Sequence, residues 1–211
     1  MRRKPFYIIA LILGLALLPF HHLKYSVGDT LFTALGISPW SNGSSNTGLH
    51  FPVIIGTILL AIGITGIYRS YRSKYPRILR WLILGSIAFF LVFPSISEAA
   101  MYVVKHNAQG DDSVDVTVAS CRYNINDKQT EAECTFTLFN YGKAESLTIR
   151  PIFTKQMNGL TDMKFEKNEL SMDRHSKFDG TMKFQGRLPN EARISGWSSQ
   201  VEMEVEVQNK K

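Results

Sequence analysis

Apolar residues follow two regimes along the chain. Up to residue 104 they come in unbroken runs, and from Ser113 onward they alternate with polar residues. Phe6 to Leu23 reads FYIIALILGLALLPFHHL and Phe51 to Tyr68 reads FPVIIGTILLAIGITGIY, while the run from Ile78 to Ile96 is interrupted only by Arg80. Each of the first two covers about 27 Å as a helix at ~1.5 Å per residue, close to a hydrocarbon core of roughly 30 Å. Lipid offers no water to satisfy backbone N–H and C=O groups, so such runs must be helical even where they are rich in Ile and Val. The pattern predicts three transmembrane helices, at about 6–23, 51–68 and 78–96. Arg80 lies near the end of its run, where its side chain reaches the headgroups.

The segments between the runs carry their own signals. In VGDTLFTALGISPW the spacing of Leu31, Phe32, Leu35 and Ile37 suits a short helix on the outer membrane surface, with Trp40 at headgroup level. SNGSSNTG reads as a flexible polar linker, and Asn42-Gly43-Ser44 within it fits an N-glycosylation sequon. Pro94 should end or kink the third span. Ser95 or Ser97 would then cap an interfacial helix over 97–104, followed by a linker at 105–112. Ala10 with Gly14, Gly56 with Gly63, and Thr57, Ala61 and Thr65 place small residues at helix-contact spacings.

The second regime has a period of two. Val114, Val116 and Val118 alternate with Asp115 and Thr117; Cys134, Phe136 and Leu138 with Thr135 and Thr137; Val201, Met203, Val205 and Val207 with Glu202, Glu204 and Glu206. Half-buried strands give this pattern. Further strand-like stretches lie at 147–154, 163–167 and 176–184, separated by turn signals at Asn140-Tyr141-Gly142, Asn158-Gly159 and Leu188-Pro189-Asn190. Pro151 marks an edge or a bulge. Six or seven short strands over residues 113–208 predict an antiparallel sandwich. The stretch CTFTLFNYGKAESLTIRPIF resembles the second and third strands of bacterial immunoglobulin-like domains. That resemblance implies a β-sandwich used for binding or spacing, and it brings no catalytic residues with it. The fold class expected is thus three transmembrane α-helices over 1–104 followed by a C-terminal all-β, immunoglobulin-like antiparallel sandwich.

The overall charge of +6 divides unevenly. Residues 1–104 hold nine Lys and Arg against Asp29 and Glu98, giving +7, and the remainder holds 15 against 16, giving −1. The sandwich lacks the basic face that nucleic acid requires. The basic residues instead read as topology determinants: Arg2, Arg3 and Lys4 precede the first span, and Arg69, Arg72, Lys74, Arg77 and Arg80 surround the connector between the second and third. The positive-inside rule puts both groups in the cytoplasm and residues 113–208 outside. The first span also has the n-region and h-region of a signal peptide, but PFHHLKYS offers no small-residue cleavage site.

Candidate chemistry is sparse. His21, His22 and His50 map to the outer ends of the first two spans, where converging imidazoles would suit a transition metal or haem, although their spacing matches no metal motif. Cys121 and Cys134 fall on what read as neighbouring strands and are either a disulfide across a hairpin or two buried thiols. No nucleophile elbow, paired carboxylates in a cleft or phosphate loop is present. The expectation is a multi-pass cell-membrane protein, not an enzyme and without a cofactor. Its partners would be the lipid bilayer and another envelope or membrane protein bound through 113–208, with no nucleic acid. A ligand-sensing or transport accessory subunit is the alternative, and a metal- or haem-binding membrane protein the third reading.

Overall fold

The computed structural model describes residues 4–43, 47–117, 119–153 and 164–208. The chain forms two compact units, Met1–Glu98 and Ala99–Lys211. The first contains helices α1 (Lys4–Leu17) and α2 (Val27–Ala34), the short strands β1 (Trp40–Asn42) and β2 (Thr47–His50), and helix α3 (Phe51–Tyr71). Helix α4 (Ile78–Val104) begins in this unit, and its last turns belong to the second.

Helices α1 and α3 pack antiparallel through glycines. A Cβ on Gly14 would lie 2.6 Å from Leu60 N, one on Gly63 2.6 Å from Leu11 N, and one on Gly66 2.1 Å from the Tyr7 ring. These contacts are with backbone or with a rigid ring, so the helices approach this closely only because the side chain is absent. Ala10, Gly14, Gly56 and Gly63 are buried there, whereas Thr57, Ala61 and Thr65 are exposed. Of the small-residue pairs, one face of α3 makes the contact and the other does not.

Two helices, α3 and α4, are long and apolar enough to cross a membrane, and α1 is a shorter apolar helix of 14 residues. The helix expected over 6–23 stops at Leu17 because Pro19 has no N–H to donate and disfavours helical backbone at Leu18. The chain then doubles back, with Phe20 bridged to Ser26. At the third run, the break expected near Pro94 is absent, and α4 passes through it as one helix of 27 residues. Ser97, expected to cap a new segment, instead donates from Oγ to Pro94 O at 2.8 Å inside the helix.

Helix α2 forms where the spacing of Leu31, Phe32 and Leu35 predicts it. Ser26 and Asp29 cap its start reciprocally, each backbone N–H bonding the other's side chain. Gly36, at φ 73°, closes its end, with Gly36 N donating to Thr33 O and Ile37 N to Phe32 O. Beyond it, β1 and β2 pair where a flexible linker was expected. Ser44 of the sequon falls outside the described residues.

The second unit follows the period-two pattern. After a 3₁₀ turn at Gly110–Ser113 come β3 (Val114–Val116), β4 (Ala119–Asn140), β5 (Ser146–Ile152), β6 (Lys164–Phe165), β7 (Asn168–Ser171) and β8 (Ser176–Val207). All pairings are antiparallel. Two strands are long because each passes through a bend. β3 pairs with the end of β4, Val114 opposite Asn140, and this continues through Thr117 N donating to Thr137 O at 2.9 Å. Further on, the Cα atoms of Cys121 and Cys134 are 4.0 Å apart, so β4 turns back on itself and its halves lie side by side. β8 flanks both halves, with 192–201 along the first and 176–187 along the second. Residues 188–191 bulge opposite Lys128, which gives Pro189 a place where no ladder hydrogen bond is lost.

At Val201, β8 leaves β4 and pairs with β5, which in turn pairs with β7. The pairing of β5 with β7 covers Ser146–Ile149, so Pro151 lies past it, opposite Met203 of β8. The two hydrogen-bonded parts share one core. Cys121, Tyr123 and Ile125 enter it from one half of β4 and Ala132, Cys134, Phe136 and Leu138 from the other. Leu147 and Ile149 come from β5 and Phe184, Val201 and Met203 from β8. At the turn after β4, buried Asn140 donates from Nδ2 to Ala144 O and Asp173 O, at 2.6 and 2.8 Å. The result is a mostly antiparallel β-sheet domain, sandwich-like in its single core.

Candidate functional site

The antiparallel packing of α1 and α3 separates two chemistries to opposite ends of the helical pair. At one end, Lys4 Nζ lies 5.0 Å from the centroid of the Tyr71 ring, a cation–π distance that brings the start of α1 to the end of α3. Arg69 is in the last turn of α3, Arg72 follows it, Lys74 lies over Tyr75, and Arg77 and Arg80 stand at the start of α4. The basic residues singled out from the sequence thus share one end. Arg2 and Arg3 lie outside the described residues.

The other end holds the histidines. His50, just before α3, places Nε2 2.5 Å from Asp29 Oδ1, with both side chains mostly buried. Trp40 stacks on the imidazole at 4.3 Å between centroids. Since Asp29 Oδ2 also accepts from Ser26 N, the carboxylate ties the start of α2 to the start of α3. His21 accepts from Leu23 N through Nδ1 and packs edge-on against Tyr25 at 3.8 Å. His22 bonds Ser97 through both its backbone N–H and Nδ1. The His21 and His22 rings lie 5.5 Å apart, while His50 is held by Asp29 and Trp40. Among the described residues, no three His, Cys, Asp or Glu side chains form a group that could hold a metal ion. The Asp29–His50 pair thus clamps the loop between α2 and α3.

In the sheet domain, Cys121 and Cys134 are joined by a disulfide, fully buried across the two halves of β4. Two of the three glutamates in the β8 row face cations: Arg150 lies opposite Glu204 and pairs with it, and Lys167 Nζ is 2.5 Å from Glu206. The Arg150 hydrogen bond holds the Glu204 carboxyl below its ordinary range, and Glu204 in turn raises Arg150. Such rows stabilise the sheet and leave no open carboxylate cage for calcium.

Aromatic side chains gather where the end of α4 meets the sheet within the second unit. Tyr102 packs edge-on against Tyr141 at 5.0 Å and donates from its hydroxyl to Ser176 O. Lys105 pairs with Asp115 at 2.8 Å and lies 5.3 Å from the Tyr141 ring. His106 stacks on His175 at 4.2 Å, and His175 Nδ1 lies 2.6 Å from Tyr141 O. The sequence carried no local sign of this cluster, because its members are far apart along the chain and only the fold assembles them. No family model, curated protein or solved structure matches the chain.

Proposed function

We propose that the protein is a multi-pass plasma-membrane protein that displays its β-sheet domain, an immunoglobulin-like sandwich, on the extracytoplasmic face. In this reading it acts as a non-enzymatic anchor or accessory subunit that binds another envelope protein. The observation that carries the membrane part is α4, where Ser86 is the one buried residue and Trp81 and Leu91 are 72% and 75% exposed. Leaving that apolar surface in water costs roughly 25 cal/mol for every Å², whereas acyl chains cover it without a partner helix. Helix α1, too short to cross alone, joins the bilayer through its glycine contacts with α3. The basic residues at one end of the pair set the orientation, with that end in the cytoplasm.

The accessory role is supported by the sandwich-like sheet domain, an architecture that many cell-surface binding modules share. Photo-crosslinkers placed at exposed sheet positions away from Trp197, such as Glu169 and Lys177, in intact cells test it. The reading predicts a discrete protein adduct of constant mass, and recovery of uncrosslinked protein alone from every position would contradict it.

A further inference from the structure

Trp197 stands apart from the other aromatic residues of the sheet domain. The indole is 64% exposed, on a strand whose neighbours otherwise bury their rings. Its cross-strand partner is Arg122. The approach of Cys121 to Cys134 sets Arg122 beside Glu133, and Glu133 is opposite Lys183. Cys121, Tyr123 and Cys134 point into the core, so this row lies on the outer face and crosses both arms of β4 and both arms of β8. With Ser120, Thr135 and Thr181 it lines an open groove of about 570 Å³. The Thr135 and Thr181 hydroxyls bond each other at 2.7 Å, which fixes the floor.

A flat indole beside a guanidinium, a carboxylate and hydroxyls suits one kind of ligand in particular. The axial C–H groups of a pyranose ring are apolar and faintly positive, so they stack on the negative face of an indole. Its equatorial hydroxyls both donate and accept. Arg122 donates in a fork, Glu133 accepts with two oxygens, and Ser120, Thr135 and Thr181 do either. At about 4.8 Å between strands, the row is long enough for a short chain of sugar rings. A protein hot spot would instead ring the tryptophan with side chains that keep water out. Here every neighbour lining the groove is polar.

We propose that this groove binds a pyranose oligosaccharide, with Trp197 as the stacking platform and Arg122 and Glu133 as its hydrogen-bonding pair. The test uses the full chain in lipid nanodiscs, which avoids glycoside detergents. Trp40→Phe and Trp81→Phe leave Trp197 as the single indole of the three in the chain. Cellopentaose, chitopentaose and maltopentaose are titrated against the matching monosaccharides. At least one pentasaccharide should give a saturable emission shift and bind about tenfold tighter than its monosaccharide.

In the otherwise unchanged chain, calorimetry should show Trp197→Ala and Glu133→Gln each weakening that pentasaccharide about tenfold, with Trp197→Phe restoring most of the affinity. The melting temperature should stay constant, since Trp197 is exposed. Absence of saturation with all three pentasaccharides overturns the proposal, as does unchanged affinity in Trp197→Ala. So does a result in which Trp197→Ala removes only a crosslinked protein, which would make the face a protein contact.

Discussion

Single glycines decide how the helical pair closes. Gly63 meets the backbone of Leu11, and nothing in a backbone can rotate away. Gly63→Leu should therefore separate α1 from α3 and cost about 1–3 kcal/mol, read as a lower unfolding midpoint in nanodiscs. Ala61→Leu, on the exposed face of the same helix, should leave the midpoint unchanged and serves as the control. The sequence marks both faces with small residues and offers no means of choosing between them, because the choice depends on which face α1 covers.

The carboxylates of β8 show the same difference between a visible pattern and a hidden partner. Their alternation with Val and Met announces a solvent face, but that Arg150 stands opposite Glu204 depends on register. Because Arg150 lowers the folded-state value of the Glu204 carboxyl, the pair's contribution is present above the ordinary glutamate range near ~4.3 and is lost as pH falls through the lower folded value. Glu204→Gln should thus lower stability at neutral pH by less than about 1 kcal/mol, as befits a partly exposed pair. Unfolding curves of variant and parent should converge below that range. A constant gap across the pH series would exclude the ion pair as the cause.

At the scale of elements, prolines separate what was legible from what was not. Pro19 and Pro94 look alike in the sequence, each inside an apolar run. Pro19 ends α1, since the polar stretch His21-His22-Leu23-Lys24 behind it gives the helix little to gain by continuing. Pro94 sits within α4, where Ser97 Oγ donates to the Pro94 carbonyl and the helix runs on to the apolar residues 99–104. Strand existence was readable from alternation at Val114, Cys134 and Val201, whereas strand length was not. β4 and β8 bend at Lys128 and 188–191, and a bend absorbed by a bulge leaves the local pattern almost unaltered.

The disulfide belongs to this scale because it joins the two arms of β4. With a sequence separation of 13, its removal should destabilise the domain by about 3 kcal/mol. Chemical denaturation of Cys121→Ala/Cys134→Ala against the parent measures this. Digestion without reductant should return the two cysteine peptides linked. Equal stability of variant and parent would mean that the thiols are not joined in the protein.

For the whole molecule, the partition of charge carries over from sequence to structure. Lys4, Arg69, Arg72, Lys74 and Arg77 gather at one end of α1 and α3, while His21, His50 and Asp29 occupy the other. The candidate site was less legible. His21, His22 and His50 read in the sequence as imidazoles at one membrane face, yet His50 bonds Asp29, His22 bonds Ser97, and the His21 and His22 rings lie 5.5 Å apart. Asp29 and Trp40, which complete the His50 cluster, read in the sequence only as part of a surface helix and a headgroup anchor. The Trp197 row exists only once β4 and β8 pair and Cys121 meets Cys134.

In the proposed topology the β-sheet domain lies outside a membrane that α3 and α4 cross. Cysteine accessibility tests this most directly, with Ser73→Cys in the connector between α3 and α4 and Asp112→Cys just before β3, since the two native cysteines are buried in their disulfide. A membrane-impermeant maleimide applied to intact cells should label Asp112→Cys at once and reach Ser73→Cys only after permeabilisation. The reverse pattern, or labelling of both before permeabilisation, would contradict it.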